Sequence, residues 1–218
     1  MTFGIMQPYF LPYLGYFQLM RAVDMFLYYD DVTYIKGGWI NRNNICVGGK
    51  DYRFTLELIG SSSFKKINEI QVGTNRMKLF KTFSQAYSKA PYFNEELIYN
   101  IFHSTEKNLF EYIKKSNRQV INYLNEDISC YVSSGIKKNN SLHGQDKILD
   151  ICKRYKATDY VNAIGGKKLY SKEVFKANGI NLHFLKSSDD LPKRSIIDVI
   201  MNHSKEDIKE MLNKYSYE

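Results

Sequence analysis

The chain has 218 residues, 44% of them hydrophobic, and its 31 Lys and Arg outnumber 23 Asp and Glu to leave a formal net charge of +8. That length and apolar content suffice for a buried core and exclude a disordered chain. No run approaches the ~20 apolar residues that cross a bilayer, and no basic stretch followed by a long apolar one opens the chain, so a cytoplasmic protein without an integral membrane segment is expected. The positive charge favours an anionic partner without naming one. Its lysine pairs (65–66, 114–115, 137–138, 167–168) are scattered and no helix-turn-helix, zinc-finger or RNA-binding pattern accompanies them, so nucleic acid is not the expected partner. Cys46, Cys130 and Cys152 are odd in number and lack metal-ligand spacing, which predicts reduced thiols and no metal site.

Phe3 to Met6 is an apolar run of strand length, and Gln7-Pro8 ends it because proline lacks a ladder donor and forces its predecessor out of helical geometry. A loop from Gln7 to Tyr13 follows. Leu14, Phe17, Leu19, Met20 and Val23 mark a helical face, with Gly15 in the first turn, where a ligand can approach the backbone closely. Met25 to Tyr29 reads as a second strand ending on Asp30-Asp31, at the carboxyl end where open α/β sheets hold their ligands. Thr33 to Asn44 reads as a loop or hairpin, Tyr52 to Leu58 as a strand, and 67–72 as a short extended piece. Helices are expected over 76–90, 94–103 and 107–124, making a helical insertion of about 76–125. A strand at 128–133, a helix at 146–155, a strand at 159–161 running into Gly165-Gly166, a helix at 169–177 capped by Gly179, a strand at 181–185, and helices at 195–201 and 205–215 complete the chain. Strands alternating with helices predict one α/β domain over 1–218, with a mainly parallel sheet interrupted by the helical insertion.

Candidate site residues fall into four groups. Gln7, Pro8, Tyr9, Tyr13, Gly15 and Tyr16 combine a helix start, suited to phosphate or carboxylate, with aromatic walls for a sugar or base. Asp30 and Asp31 point opposite ways from one strand end, so one can cap a turn while the other orients hydroxyls, takes a proton from an amine or holds magnesium. Lys36, Trp39, Asn41 and Arg42 offer a planar fork for diphosphate and an indole for stacking. Asn162, Gly165, Gly166 and Tyr170 form a second strand, glycine loop and helix unit. His143, in a polar Ser-Leu-His-Gly-Gln segment, is the histidine best placed for a site, and Cys46 is the thiol nearest the loops.

The run MQPYFLPYLGYFQLMRAVDMFLYYDDVTYIKGGWINRNNI near the amino end, with ILDICKRYKATDYVNAIGGKKLY, FKANGINLHFL and SIIDVIM towards the other, resembles the WbqC-like family of bacterial surface-polysaccharide and O-antigen gene clusters. The resemblance covers nearly the whole chain. It implies a transferase acting on a nucleotide-linked amino sugar, by acyl or aminoacyl transfer to the sugar amine, with acyl-CoA or an acyl carrier protein as donor. The alternative is a noncatalytic binding or assembly protein of the same pathway. Strand, proline loop and Tyr13-Leu14-Gly15-Tyr16 at a helix start also resemble the placement of the HxGH motif in nucleotidyltransferase-like enzymes, with tyrosine replacing both histidines. That analogy implies a Rossmann-like fold rather than the activity.

Overall fold

The computed structural model describes residues 1–218. β1 (Thr2–Met6) leads through the loop 7–13 into α1 (Leu14–Arg21) and β2 (Met25–Tyr28). A hairpin of β3 (Arg42–Val47) and β4 (Lys50–Thr55), and a short pair of β5 (Leu58–Ile59) and β6 (Gln71–Val72), precede α2 (Arg76–Tyr87), α3 (Glu95–Phe102) and α4 (Leu109–Tyr123). Then come β7 (Cys130–Val132), α5 (Gly144–Arg154), β8 (Asp159–Ala163), α6 (Lys172–Ala177), β9 (Asn181–Ser187), α7 (Ile196–Asn202), α8 (Lys205–Met211) and β10 (Tyr215–Tyr217). No helix is long and apolar enough to cross a membrane.

One sheet runs in the order β10-β9-β8-β1-β2-β7, parallel throughout except where β9 meets β10. The first strand is central. The chain builds outward through β2 to β7, returns to the other side of β1 as β8, and builds outward again to β9. Parallel neighbours need crossovers, supplied by α1, by the long segment between β2 and β7, by α5 and by α6.

Successive side chains of a strand face opposite sides, and here both sides are buried. Phe3, Ile5, Met25, Leu27, Tyr160 and Phe184 pack against Ile148 and Cys152 of α5 and Phe175 of α6. On the other face Phe26, Tyr28, Val161 and Leu185 join a larger core that takes in Phe17 of α1, Ile113 of α4, Ile200 of α7 and Ile208 of α8. Covering both faces accounts for the continuous burial of β2, whose four residues are all buried.

Several expected elements have different bounds. The helix expected over 205–215 stops at Met211, and Tyr215–Tyr217 pairs antiparallel to β9, because Tyr-Ser-Tyr alternates as an edge strand does. The strand at 52–58 divides into β4 and β5, and 67–72 divides into a 3-10 turn and β6. The helix expected from Leu169 begins at Lys172, where the Ser171 hydroxyl accepts from the Val174 amide.

The loop 7–13 is pinned from every side. The Phe10 amide donates to the Ile40 carbonyl at 2.8 Å, and the Ile196 amide to the Pro12 carbonyl at 2.7 Å. The Leu11 carbonyl accepts from Asn43 Nδ2 at 2.9 Å and from Ser195 Oγ at 2.8 Å. Leu11 itself is buried with φ +47°, a left-handed conformation that a branched residue adopts only when its surroundings impose it. Ser195 also caps α7, its hydroxyl accepting from the Ile197 amide. Ser195→Ala removes both the cap and the buried bond to Leu11, so it is expected to cost about 2 kcal/mol, measured by urea unfolding.

Candidate functional site

A cleft of about 410 Å³ opens where β9 ends and α1 begins. Tyr9, Pro12, Tyr13 and Gly15 form one wall, Trp39, Asn43 and Ile164 another, and the end of β9 with the segment after it, from Lys186 to Lys193, closes it. It therefore lies beside the place where the strand order reverses between β1 and β8, at the carboxyl edge where parallel α/β sheets hold ligands. Burial pushes the hydroxyl pKa values of Tyr9 and Tyr13 up, so both remain neutral donors at physiological pH. Lys186 stands 4.0 Å from Asp189, whereas Lys193 has no acidic partner. A Cβ at Gly15 would fall 2.5 Å from Ser187 Oγ and collide with the Tyr13 ring, so only glycine lets the first turn of α1 approach the end of β9 this closely. Ser187 is held in turn, its hydroxyl donating to Gln18 Oε1 at 2.6 Å.

The adjacent aspartates have separate fates. Asp30 is fully buried: Oδ1 accepts from the Ser134 amide at 2.9 Å and Oδ2 from Asn68 Nδ2 at 2.8 Å, tying the end of β2 to the segment after β7 and to the turn before β6. Asp31 pairs with Lys138 at 2.7 Å, and Lys138 also donates to the Ser133 carbonyl. The second Asp31 oxygen, Oδ1, is buried, and the buried Ser133 hydroxyl lies by the same carboxylate. Burial raises the Asp31 carboxyl pKa, but hydrogen bonds from Lys138 and Ser133 and the charges of Lys138 and Lys147 outweigh it and hold it below the ordinary value. Lys147 is itself buried on α5, 5.8 Å from the Tyr29 ring centroid.

The remaining candidates are dispersed. Tyr16 is a core residue whose hydroxyl donates to the Gln7 carbonyl at 2.9 Å, with Pro8 buried beside it in sequence and Gln7 half-buried. Asn41 is buried and structural, accepting from the Tyr34 hydroxyl and donating to the Leu56 carbonyl. Arg42 Nε donates to the Gly38 carbonyl at 2.9 Å, and neither Arg42 nor the exposed Lys36 lines the cleft. Trp39 lies at the cleft with the Arg53 guanidinium 5.6 Å from its ring. Gly166 has no room for a Cβ, which would meet Asn162 Nδ2 at 2.7 Å, while Gly165 faces open space. Asn162 is buried, and Tyr170 packs edge-on to Tyr160 at 5.8 Å. His143 is exposed at the N-cap of α5 with no side-chain cap bond. The thiols of Cys130 and Cys152 are pushed by burial to about 11 and about 12, so neither is a thiolate at neutral pH.

Sequence reasoning missed the segment Lys186–Lys193 and the cations Lys138 and Lys147. The available signal was position, since Lys-Ser-Ser-Asp-Asp ends the last parallel strand and runs beyond it, and so falls on the same edge as Gln7 and Asp31.

The fold and this edge define an open α/β protein with a cleft beside its strand-order reversal. Residues 7–210 match the WbqC-like protein family, and the chain belongs to it. It is 26% identical over 183 residues, covering 79% of this chain and 76% of the relative, to "Uncharacterized protein Rv1507c" of Mycobacterium tuberculosis (strain ATCC 25618 / H37Rv). No solved structure matches it.

The two aspartates are separable by experiment. Asp30→Ala strands the Ser134 amide and the Asn68 amide group and is expected to cost about 2–4 kcal/mol in urea unfolding. For Asp31 the folded pKa lies below the unfolded value of about 3.9, so its contribution is fully present above that value and is lost as pH falls through the lowered folded pKa. Asp31→Asn is therefore expected to flatten the acid limb of the stability profile below about pH 4, read as melting temperature against pH.

Proposed function

We propose that the cleft binds a nucleotide-linked amino sugar and that the chain is a transferase that acylates the sugar amine in surface-polysaccharide synthesis. The observation that carries this reading is the pairing, in one cleft at the ligand edge of the sheet, of aromatic walls with lysines. Tyr9, Tyr13 and Trp39 suit a base or pyranose ring, and Lys186 and Lys193 suit the diphosphate. Arg42 does not line the cleft, so the diphosphate role moves to these two lysines.

The chemistry assigned here uses an acyl thioester as donor. The sugar amine attacks the thioester carbonyl, a C–N bond forms as the C–S bond breaks, and the amine proton leaves with the departing thiolate as a free thiol. Asp31 lies outside the cleft lining with its Oδ1 buried, so its ion pair with Lys138 is assigned to structure and the amine is oriented by the cleft's own polar groups. Asp30, with both oxygens engaged, is assigned to structure alone.

The test is calorimetric titration with UDP-, dTDP- and GDP-linked amino sugars. Binding is expected to select one nucleotide, to weaken about tenfold in Lys193→Ala, consistent with loss of a charge-assisted contact, and to weaken with salt. Arg42→Ala is expected to bind as the wild type does. Folded protein that binds none of these ligands would overturn the reading and favour the assembly role in the same pathway.

A further inference from the structure

We infer that a second cavity, between the edge strand β7 and helices α3 and α4, binds a phosphate-bearing small molecule. This goes beyond the cleft and stands whether or not the cleft takes a sugar nucleotide, because the two share no lining residue. The cavity holds about 540 Å³, more than the cleft. Its floor is apolar, built from Tyr28, Ile101, Tyr112 and Val132, and its rim carries Lys114, Lys115 and Arg118 with no carboxylate among the lining residues.

The charge around it is incompletely neutralised. Lys114 is paired with Glu111 at 2.7 Å and Lys115 with Glu106 at 3.1 Å. Arg118 has neither an ion pair nor a hydrogen bond within the protein, and the Arg76 guanidinium lies 5.5 Å from the Tyr112 ring. Three lining cations against two carboxylates leave one positive charge, Arg118, unpaired at the cavity, while Arg76 outside the lining donates to the Ser104 and Glu106 carbonyls. A second observation points into the same space. Tyr112 is 1% exposed, lines the cavity, and its hydroxyl has no hydrogen-bond partner in the protein. Buried hydroxyls are almost always paired, so this one is an unmet polar group beside the cavity that a ligand-induced shift of the ring would satisfy. Dispersed cations suit the several oxygens of a phosphate, and the apolar floor suits an organic group attached to it.

The experiment titrates adenosine 3′,5′-bisphosphate, coenzyme A and inorganic phosphate into the full chain, its Arg118→Ala, Tyr112→Phe and Lys193→Ala variants. Saturable binding of an organic phosphate is expected, weakened about tenfold in Arg118→Ala by loss of a charge-assisted contact and unchanged in Lys193→Ala. Tyr112→Phe is expected to raise the ligand-free melting temperature, because it removes an unpaired buried hydroxyl, while weakening binding. A merely structural tyrosine would not move the two in opposite directions. The inference is overturned if no probe saturates, if Arg118→Ala binds as the wild type does, or if Lys193→Ala abolishes binding and so places the phosphate in the cleft. Inorganic phosphate binding as tightly as the organic phosphates would equally overturn it, since the floor would then have no role.

Discussion

The structure depends on the fixation of one seven-residue loop, 7–13, between β1 and α1. Its carbonyls at Gln7, Tyr9, Leu11 and Pro12 and its amide at Phe10 are each bonded to a different part of the chain. The Tyr9 carbonyl accepts from Asn117 of α4, Leu11 from Asn43 of β3 and from Ser195, and Pro12 from the first residue of α7. Those bonds hold Leu11 in a conformation that costs roughly 1–2 kcal/mol when unsupported. In exchange, the hairpin, the helical insertion and the last helices meet at one point, and Tyr9, Tyr13 and Gly15 are held against the end of β9. The cleft is rigid because its wall is the junction of the fold.

The same economy explains why Asp30 and Asp31 differ. Beyond a strand end, successive side chains still face opposite ways, and here one way leads to the turn before β6 and the other towards α5. Asp30 meets Asn68 and the Ser134 amide, both neutral, and serves as a clamp between β2, the turn before β6 and the segment after β7. Asp31 meets Lys138 and the field of Lys147. Two cations around one carboxylate at 9% side-chain exposure leave an excess of positive charge at the carboxyl edge, and the Ser133 hydroxyl lies by the same carboxylate.

Much of this was legible in the sequence, for identifiable reasons. The strand, proline loop, glycine and helix at the start were readable because proline and periodicity act locally, and the helices at 76–123 because their apolar faces repeat at helical spacing. That Tyr9, Tyr13, Gly15 and Trp39 share a cleft required the tertiary junction, but their density near the first strand pointed there. The partner segment Lys186–Lys193 was not legible, because nothing local distinguishes a Ser-Ser-Asp-Asp turn that closes a cleft from one that caps a strand. The burial of Tyr16 and Asn41 was equally hidden: a tyrosine or asparagine reads the same whether its polar atoms face a ligand or, as here, the Gln7 and Leu56 carbonyls. Nor could the edge strand β10 be distinguished from the end of a helix, because its pairing with β9 joins parts of the chain about 30 residues apart.

Net charge becomes informative once its pairing is known. Of the basic residues, Arg21, Lys138, Arg154, Lys167 and Arg194 have acidic partners between 2.6 and 3.0 Å, which removes them as a source of long-range attraction. Lys193 and Arg118 have none, and each borders a concavity whose other walls are largely aromatic or aliphatic. A cation beside a low-dielectric wall acts more strongly on an anion than the same cation on a convex, solvated face. The chain's excess of eight positive charges therefore matters less as a total than as the fraction left unpaired at these two openings, one at the carboxyl edge of the sheet and one at its β7 flank. Asn117 stands between them, donating to the Tyr9 carbonyl on the cleft side and to the Tyr28 hydroxyl on the cavity side, so a shift of α4 that reshaped one opening would pull directly on the wall of the other.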